Sequence, residues 1–224
     1  MVKVGYKISG VQERDFFIVQ ELKQLNLLSQ KDSVVQYNGI TRDILSCFIR
    51  AVESYKDSDV THVCVLQDDL ELCDDFCKIV ETCVGQFENA VWALFNSRVK
   101  PNDYENPYVK IKGCGFYAPA IVFPIKYISD FKQWKIENCD DCFHDDVAIG
   151  EWCKRNKIEV MTTVPSLVNH LGGKISLLGH NSGLTSKAWQ GKEAPKKVNW
   201  KTENFSWTKY SMPTGWKSYL SGWL

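Results

Sequence analysis

No stretch of the 224-residue sequence stays uncharged and apolar for the roughly 18 to 20 residues that a bilayer-spanning helix needs. No basic segment or cleavage site precedes the strand-like residues after Met1, which predicts a cytoplasmic chain. Glycine and proline are too scarce, at 14 and 7, for a collagen-like or low-complexity chain, and no internal repeat is present. The nine cysteines are odd in number and lack regular disulfide spacings, so reduced thiols are expected. A dinucleotide-binding G-x-G-x-x-G is missing. Gly172-Gly173-Lys174-Ile175-Ser176 does not stand in for a phosphate loop, because its lysine and hydroxyl are not adjacent.

What is present describes a globular domain. Hydrophobic residues make up 44% of the chain and charged residues 24%, enough for one substantial core. The 27 basic and 27 acidic residues cancel overall but are unevenly placed. Residues 171–224 carry eight lysines against Glu193 and Glu203, a net +6, which leaves −6 on the rest. A basic, tryptophan-rich tail suits a polyanion, and it equally suits a solvated surface around packed rings.

Residues 1–8 alternate as a strand before Ser9-Gly10, and residues 13–28 carry the apolar stripe Phe17, Ile18, Leu22, Leu25 and Leu28 of a helix. A strand over 33–37 and a helix from Thr41 to about Tyr55 follow. The run 60–66 reads as a central strand buried on both faces, then a helix capped by Asp74 or Asp75, then a buried strand over 90–95. One or two strands over 108–123, a helix after Pro124, a helix over 145–156 and a late edge strand over 158–163 complete the pattern. Periodicity fades after His170, and the aromatic residues beyond Lys174 predict irregular structure packed on the domain. The sum is an α/β fold with a mostly parallel sheet, whose ligands bind at the carboxyl ends of the strands.

Gln67-Asp68-Asp69 stands at such an end. Adjacent carboxylates there are costly unless a cation or hydrogen-bond donors compensate them, so a divalent metal is the natural partner. Helix capping is the competing role, but Asp74 and Asp75 already supply it. A second acidic cluster, His144-Asp145-Asp146-Val147-Ala148-Ile149, opens the helix over 145–156, where an N-terminal carboxylate pair is also favoured by the helix dipole alone. A third element runs Val164-Pro165-Ser166-Leu167-Val168-Asn169-His170 and ends two glycines before Lys174.

In these three elements the chain resembles the GT-A glycosyltransferases, whose short acidic motif follows a central apolar strand. Gln67-Asp68-Asp69-Leu70-Glu71 is similar to the E-D-D-L-E stretch of N-acetylglucosaminyltransferases, with Gln67 replacing the charged first residue. The resemblance implies a single GT-A-like (Rossmann-like) domain over residues 1–175, with a basic aromatic extension over 176–224 packed on it. It assigns Asp69 and His170 to Mn²⁺ or Mg²⁺, and Gln67 and Asp68 to the nucleotide sugar. It also makes Asp146 the base of an inverting transfer beside Asp145, and gives Lys174 the departing diphosphate. Ser9, Gly10, Arg14 and Arg42 fall where the family holds the nucleotide, and Gly113 and Gly115 where it approaches the donor sugar or, equally, where a bulge lies. His180 competes with His170.

The function implied is transfer of a hexosyl or pentosyl group from a nucleotide-diphosphate sugar to an acceptor hydroxyl. The tail extends the acceptor reading to a hydroxylated base in DNA, as in some bacteriophage enzymes, which would place the chain in host cytoplasm. Lys192, Lys196, Lys197 and Lys201 are the candidate phosphate contacts, and Trp200 and Trp207 the stacking candidates. A glycan or protein acceptor, a non-catalytic nucleotide- or sugar-binding module, and a metal-dependent phosphate-ester hydrolase are the rivals. A two-metal hydrolase calls for more strand-end carboxylates and histidines than this sequence supplies. Cys139 and Cys142 with Cys73 and Cys77 offer four thiols to a structural zinc, but the C-x-x-C is solitary and the other pair is a C-x-x-x-C within an expected helix.

Overall fold

Alternation along the first strand sends Val4, Tyr6 and Ile8 into one apolar core, while Gly5 on the opposite face meets the ring of Tyr55 beside a second core. The structure is a computed structural model and describes residues 1–10, 34–36, 44–97, 104–112, 116, 119–138, 145–171 and 185–209. Its elements begin β1 (Val4–Gly10), β2 (Val34–Gln36), α1 (Ile44–Glu53), β3 (His62–Gln67), β4 (Leu70–Leu72), α2 (Phe76–Gln86) and β5 (Val91–Ala93). They continue β6 (Tyr108–Lys112), β7 (Ala120–Pro124), α3 (Ile128–Asn138), α4 (Asp145–Arg155), β8 (Val160–Thr163), β9 (Val168–His170) and β10 (Phe205–Lys209). The helix expected over 13–28 lies outside the described residues.

Eight of these strands form one sheet in the order β10-β6-β8-β5-β7-β3-β1-β2. Four pairings are parallel and three antiparallel, so the expected α/β sandwich with a mostly parallel sheet is the observed one. Strands β1, β2, β3, β5 and β8 point the same way, and their carboxyl ends define a single edge. Helix α2 closes the core made by Cys64, Leu66 and Trp92, with Ile79, Val80 and Val84 turned inward. Helices α1, α3 and α4 close the other, where Phe48, Phe123, Phe131 and Trp152 meet ring to ring at centroid distances of 5.4–6.3 Å. Among the described residues no helix is long and apolar enough to cross a membrane.

Three local expectations change. The strand expected at an edge, β8, lies inside the sheet between β5 and β6, and Val160–Thr163 are all buried. The buried Thr162 hydroxyl there accepts a hydrogen bond from the Asn96 amide nitrogen at 3.4 Å. An unexpected strand, β4, separates the first acidic motif from its helix. Leu70–Leu72 first pairs antiparallel with β9 as a separate two-stranded sheet, and Leu70 and Leu72 are 1% exposed. Asp75 occupies the α2 cap position but forms no side-chain cap bond, while Asp74 pairs with Lys196 at 2.9 Å.

Residues 185–209 pack on the domain rather than trailing from it. β10 pairs in parallel with β6, and the Tyr108 hydroxyl donates to the backbone oxygen of Trp200. Trp200 is buried, and its indole N–H donates to Pro195 O at 2.8 Å, so it is a core ring rather than a stacking platform. Trp207, at 49% exposure, lies beneath the ammonium groups of Lys110 and Lys112.

The described cysteines, Cys47, Cys64, Cys73, Cys77, Cys83 and Cys153, are free thiols. Burial pushes Cys64, Cys77 and Cys83 up, and Cys73 up to about 12, which leaves them unreactive at neutral pH.

Two glycines predict opposite effects on stability. A Cβ at Gly5 would stand 2.7 Å from the Tyr55 ring, which is held by its hydroxyl on Tyr6 O at 3.1 Å. Gly5→Ala is therefore expected to cost about 1–3 kcal/mol. Gly85 lies in α2 with open space where its Cβ would be, so Gly85→Ala is expected to add about 0.5–1 kcal/mol. Urea denaturation of both variants checks the pair of signs.

Candidate active site

The first acidic motif occupies the chain between β3 and β4. Gln67 ends β3, where its backbone N–H donates to Pro119 O at 2.8 Å and its Cα pairs with that of Ser9 on β1. Parallel register puts the Ser9 and Gln67 side chains on the same sheet face, at adjacent strand ends. Gly10 follows as the last residue of β1. Asp68 is 4% exposed, a carboxylate withdrawn from bulk water at the carboxyl edge of the sheet.

Asp69 is positioned by the small sheet. Leu171 N donates to Asp69 O at 2.9 Å, extending the register that pairs Leu70 with His170, Glu71 with Asn169 and Leu72 with Val168. That ladder brings residues far apart in sequence together, leaving His170 Nε2 3.2 Å from Asp69 Oδ2. Both side chains are 15% exposed. The approach to His170 is set by Ser166, whose backbone N–H donates to Ala188 O at 3.0 Å, after a cis Val164-Pro165 bond.

Phe95 presses against the imidazole at 6.2 Å between ring centroids, edge to face. His170 Nδ1 is buried and has no hydrogen-bond partner among the described residues. A buried ring nitrogen without a partner costs free energy unless a ligand or solvent supplies one. A carboxylate oxygen and an imidazole nitrogen 3.2 Å apart have the separation of two ligands on one divalent cation such as Mn²⁺. Among the described residues no cluster of three or more His, Cys, Asp or Glu side chains is placed to hold a metal. Among the described residues, Asp69 and His170 are the two side-chain donors brought together there.

Asp146 stands at the start of α4. Its Oδ1 accepts from Val147 N at 2.8 Å, while Asp145 Oδ1 accepts from Asp146 N at 2.9 Å. Asp146 is 7% exposed and Asp145 partly exposed. The direction of α4 places this end. Trp152, nearer its carboxyl end, packs on Phe123, which pairs with Val63 near the amino end of β3. β8 then starts five residues after Arg155 and runs parallel to β5. The helix thus runs back along the sheet, and Asp146 lies toward the carboxyl edge shared by Gln67 and Asp68.

Arg14, Arg42, Lys174, His180, Gly113 and Gly115 lie outside the described residues. In the tail, Lys196 pairs with Asp74, and Lys192 stands 3.6 Å from Glu71; Lys197 and Lys201 are exposed.

Sequence reasoning missed a polar group behind the Asp69–His170 pair. Ser186 Oγ donates to Asn96 O at 2.5 Å, Ser186 N donates to Asn169 Oδ1 at 3.4 Å, and Ser166 Oγ lies 2.9 Å from Leu94 O. These bonds hold the β9 segment against the end of β5. The readable signal was the abrupt change from the apolar run Ala90–Phe95 to Asn96-Ser97, both buried.

No protein-family model matches the chain, and no curated protein does. Solved structures similar to it include a β-1,4-galactosyltransferase 7 point mutant from Drosophila in complex with manganese, UDP-Gal and xylobiose. That similarity has 13% identity, covers 88% of this chain and 82% of that one, and has a TM-score of 0.45. The Streptococcus pneumoniae glycosyltransferase GlyE is 11% identical, with 89% and 61% coverage and a TM-score of 0.39. A cytidylyltransferase from Leptospira borgpetersenii is 13% identical, with 70% and 73% coverage and a TM-score of 0.37. These similarities are distant.

Proposed function

We propose that the chain is a metal-dependent GT-A-type glycosyltransferase that moves a sugar from a nucleotide-diphosphate sugar to an acceptor hydroxyl with inversion. The observation that carries this reading is the Asp69–His170 pair at 3.2 Å, assembled by the β4–β9 ladder beside the end of the central strand. When bound there, a divalent cation would neutralise diphosphate charge as it builds on the leaving group.

The protein's own groups divide the remaining work. Ser9 and Gln67, at adjacent strand ends, offer a hydroxyl and an amide to the nucleoside. Gln67 keeps hydrogen bonding while adding no negative charge near a diphosphate. Asp146 takes the proton of the acceptor hydroxyl as its oxygen attacks the anomeric carbon. The bond from that carbon to the diphosphate oxygen breaks, and its electron pair leaves with the diphosphate. Attack from the face opposite the leaving group inverts the configuration. Lys174, beyond Gly172-Gly173 that permit close backbone approach, neutralises the departing diphosphate.

The basic tail prompted a hydroxylated DNA base as the acceptor. Two of its four candidate lysines have acidic neighbours, and one of its two candidate tryptophans is in the core, so the tail gives that acceptor little support.

A melting-temperature screen of nucleoside diphosphates with Mn²⁺ tests the reading. A ligand at about 100 times its dissociation constant stabilises the native state by about 2.7 kcal/mol. A rise with at least one nucleotide that disappears on chelation is expected. No rise across the panel, or an equal rise under chelation, contradicts it.

A further inference from the structure

A cavity of about 370 Å³ opens between the loop before β6, the segment after β8 and the tail. Its walls include Tyr104, Asn106, Pro165, Gln190, Asn199 and Thr202. Its position follows from the register. Tyr108, the first residue of β6, pairs with Thr163, the last of β8, and Val164 N donates to Pro107 O at 2.9 Å. The cavity therefore sits at the carboxyl edge of the sheet, where Asp68 and Asp146 also lie.

Two chain segments connect it to the metal pair. Pro165 is five residues before His170, a span of at most about 17 Å of extended chain. Ser186, bonded to Asn169 beside His170, is four residues before Gln190 on the opposite wall.

We propose that this cavity holds the acceptor and that the acceptor is a neutral carbohydrate. The inference rests on the transferase reading and names its second substrate class. Tyr104, packed against Val109 and Val164, and the rings of Pro107 and Pro165 offer flat apolar surface to the C–H face of a sugar. Asn106, Gln190, Asn199 and Thr202 bring amide and hydroxyl groups to the sugar's hydroxyls. Gln190 is exposed, so its amide faces solvent at the cavity wall.

Charge separates this substrate from nucleic acid. Nucleic acid binding draws its affinity from Lys and Arg at phosphates. Among the described residues Glu105 is the single charged group lining the cavity, and it would repel a phosphate while accepting a hydrogen bond from a neutral hydroxyl. Lys197 and Lys201 are exposed and do not line it.

Saturation-transfer NMR on the full chain tests the inference, with p-nitrophenyl β-glycosides of glucose, galactose, xylose and N-acetylglucosamine as probes. Duplex DNA carrying hydroxymethylcytosine is the comparison. At least one glycoside is expected to bind, with affinity reduced roughly 10-fold in Gln190→Ala and in Tyr104→Ala, about 1.4 kcal/mol each. Gln190 is exposed, so its variant keeps the test meaningful if loss of the Tyr104 ring disturbs folding.

Nucleoside diphosphate affinity, titrated in the same samples, should stay unchanged in both variants. Glycoside binding unaffected by either variant, binding of DNA alone, or no glycoside binding overturns the proposal. Failure of the nucleotide titration in the unmodified chain counts against the transferase reading instead, whatever the glycosides do.

Discussion

Asp69→Asn is expected to abolish metal-dependent binding of a nucleoside diphosphate, with an affinity loss of about 100-fold or more. The substitution keeps the size and a hydrogen-bonding group beside His170 Nε2 but removes the negative charge. A pair of unit charges about 4 Å apart near a protein surface is worth about 4 kcal/mol, so loss of one carboxylate charge is enough for a change of this size. The cation would then lose its anionic protein ligand, and the diphosphate would face Asp68 with less compensation. Calorimetric titration with and without Mn²⁺ measures the effect. His170→Ala should weaken metal binding, whereas His180→Ala should not. Equal nucleotide affinity with and without metal in the unmodified chain would remove the cation from the account.

Asp146→Asn should keep donor binding and lose transfer by about 100- to 10,000-fold, the range in which a positioned general base acts. The amide preserves an acceptor oxygen for Val147 N, so the start of α4 should remain formed. What it loses is the ability to take a proton, an effect on the transition state that should appear in kcat with KM for the donor little changed. Asp145→Asn should be milder, because Asp145 is the more exposed of the two and its Oδ1 accepts from the backbone of Asp146. The opposite ranking would shift the catalytic assignment by one residue. Proton couplings in the product report the anomeric configuration, and retention would exclude single displacement.

Much of the sheet was readable because burial on two faces leaves a plain sequence signature. Val63–Leu66 and Ala90–Phe95 are short apolar runs bounded by polar residues, and their strands β3 and β5 lie inside the sheet. Helices α1 and α2 were readable from the three- and four-residue spacing of Leu45, Phe48 and Val52, and of Phe76, Ile79, Val80 and Val84. β4 and β9 were not. Three residues each are too few for periodicity, and their pairing depends on a contact between segments a hundred residues apart.

The same limit applies to β10, whose edge position is fixed by β6 rather than by its own pattern. At the site, residue type and order pointed to Asp69 and His170, but only the fold brings them to 3.2 Å. The tryptophans of the tail were ambiguous for a chemical reason. An indole serves a core and a binding face equally well, and the bond from Trp200 Nε1 to Pro195 O decides in favour of the core.

Pulsed electron paramagnetic resonance of the Mn²⁺-loaded chain with a nucleoside diphosphate tests most directly whether Asp69 and His170 together hold the cation that carries the nucleotide. The account predicts ¹⁴N coupling from one histidine and ³¹P coupling from the diphosphate on the same ion. The nitrogen signal should be lost in His170→Ala, and both signals should be lost in Asp69→Asn. Phosphorus coupling without nitrogen coupling, or a nitrogen signal that survives His170→Ala, would contradict it.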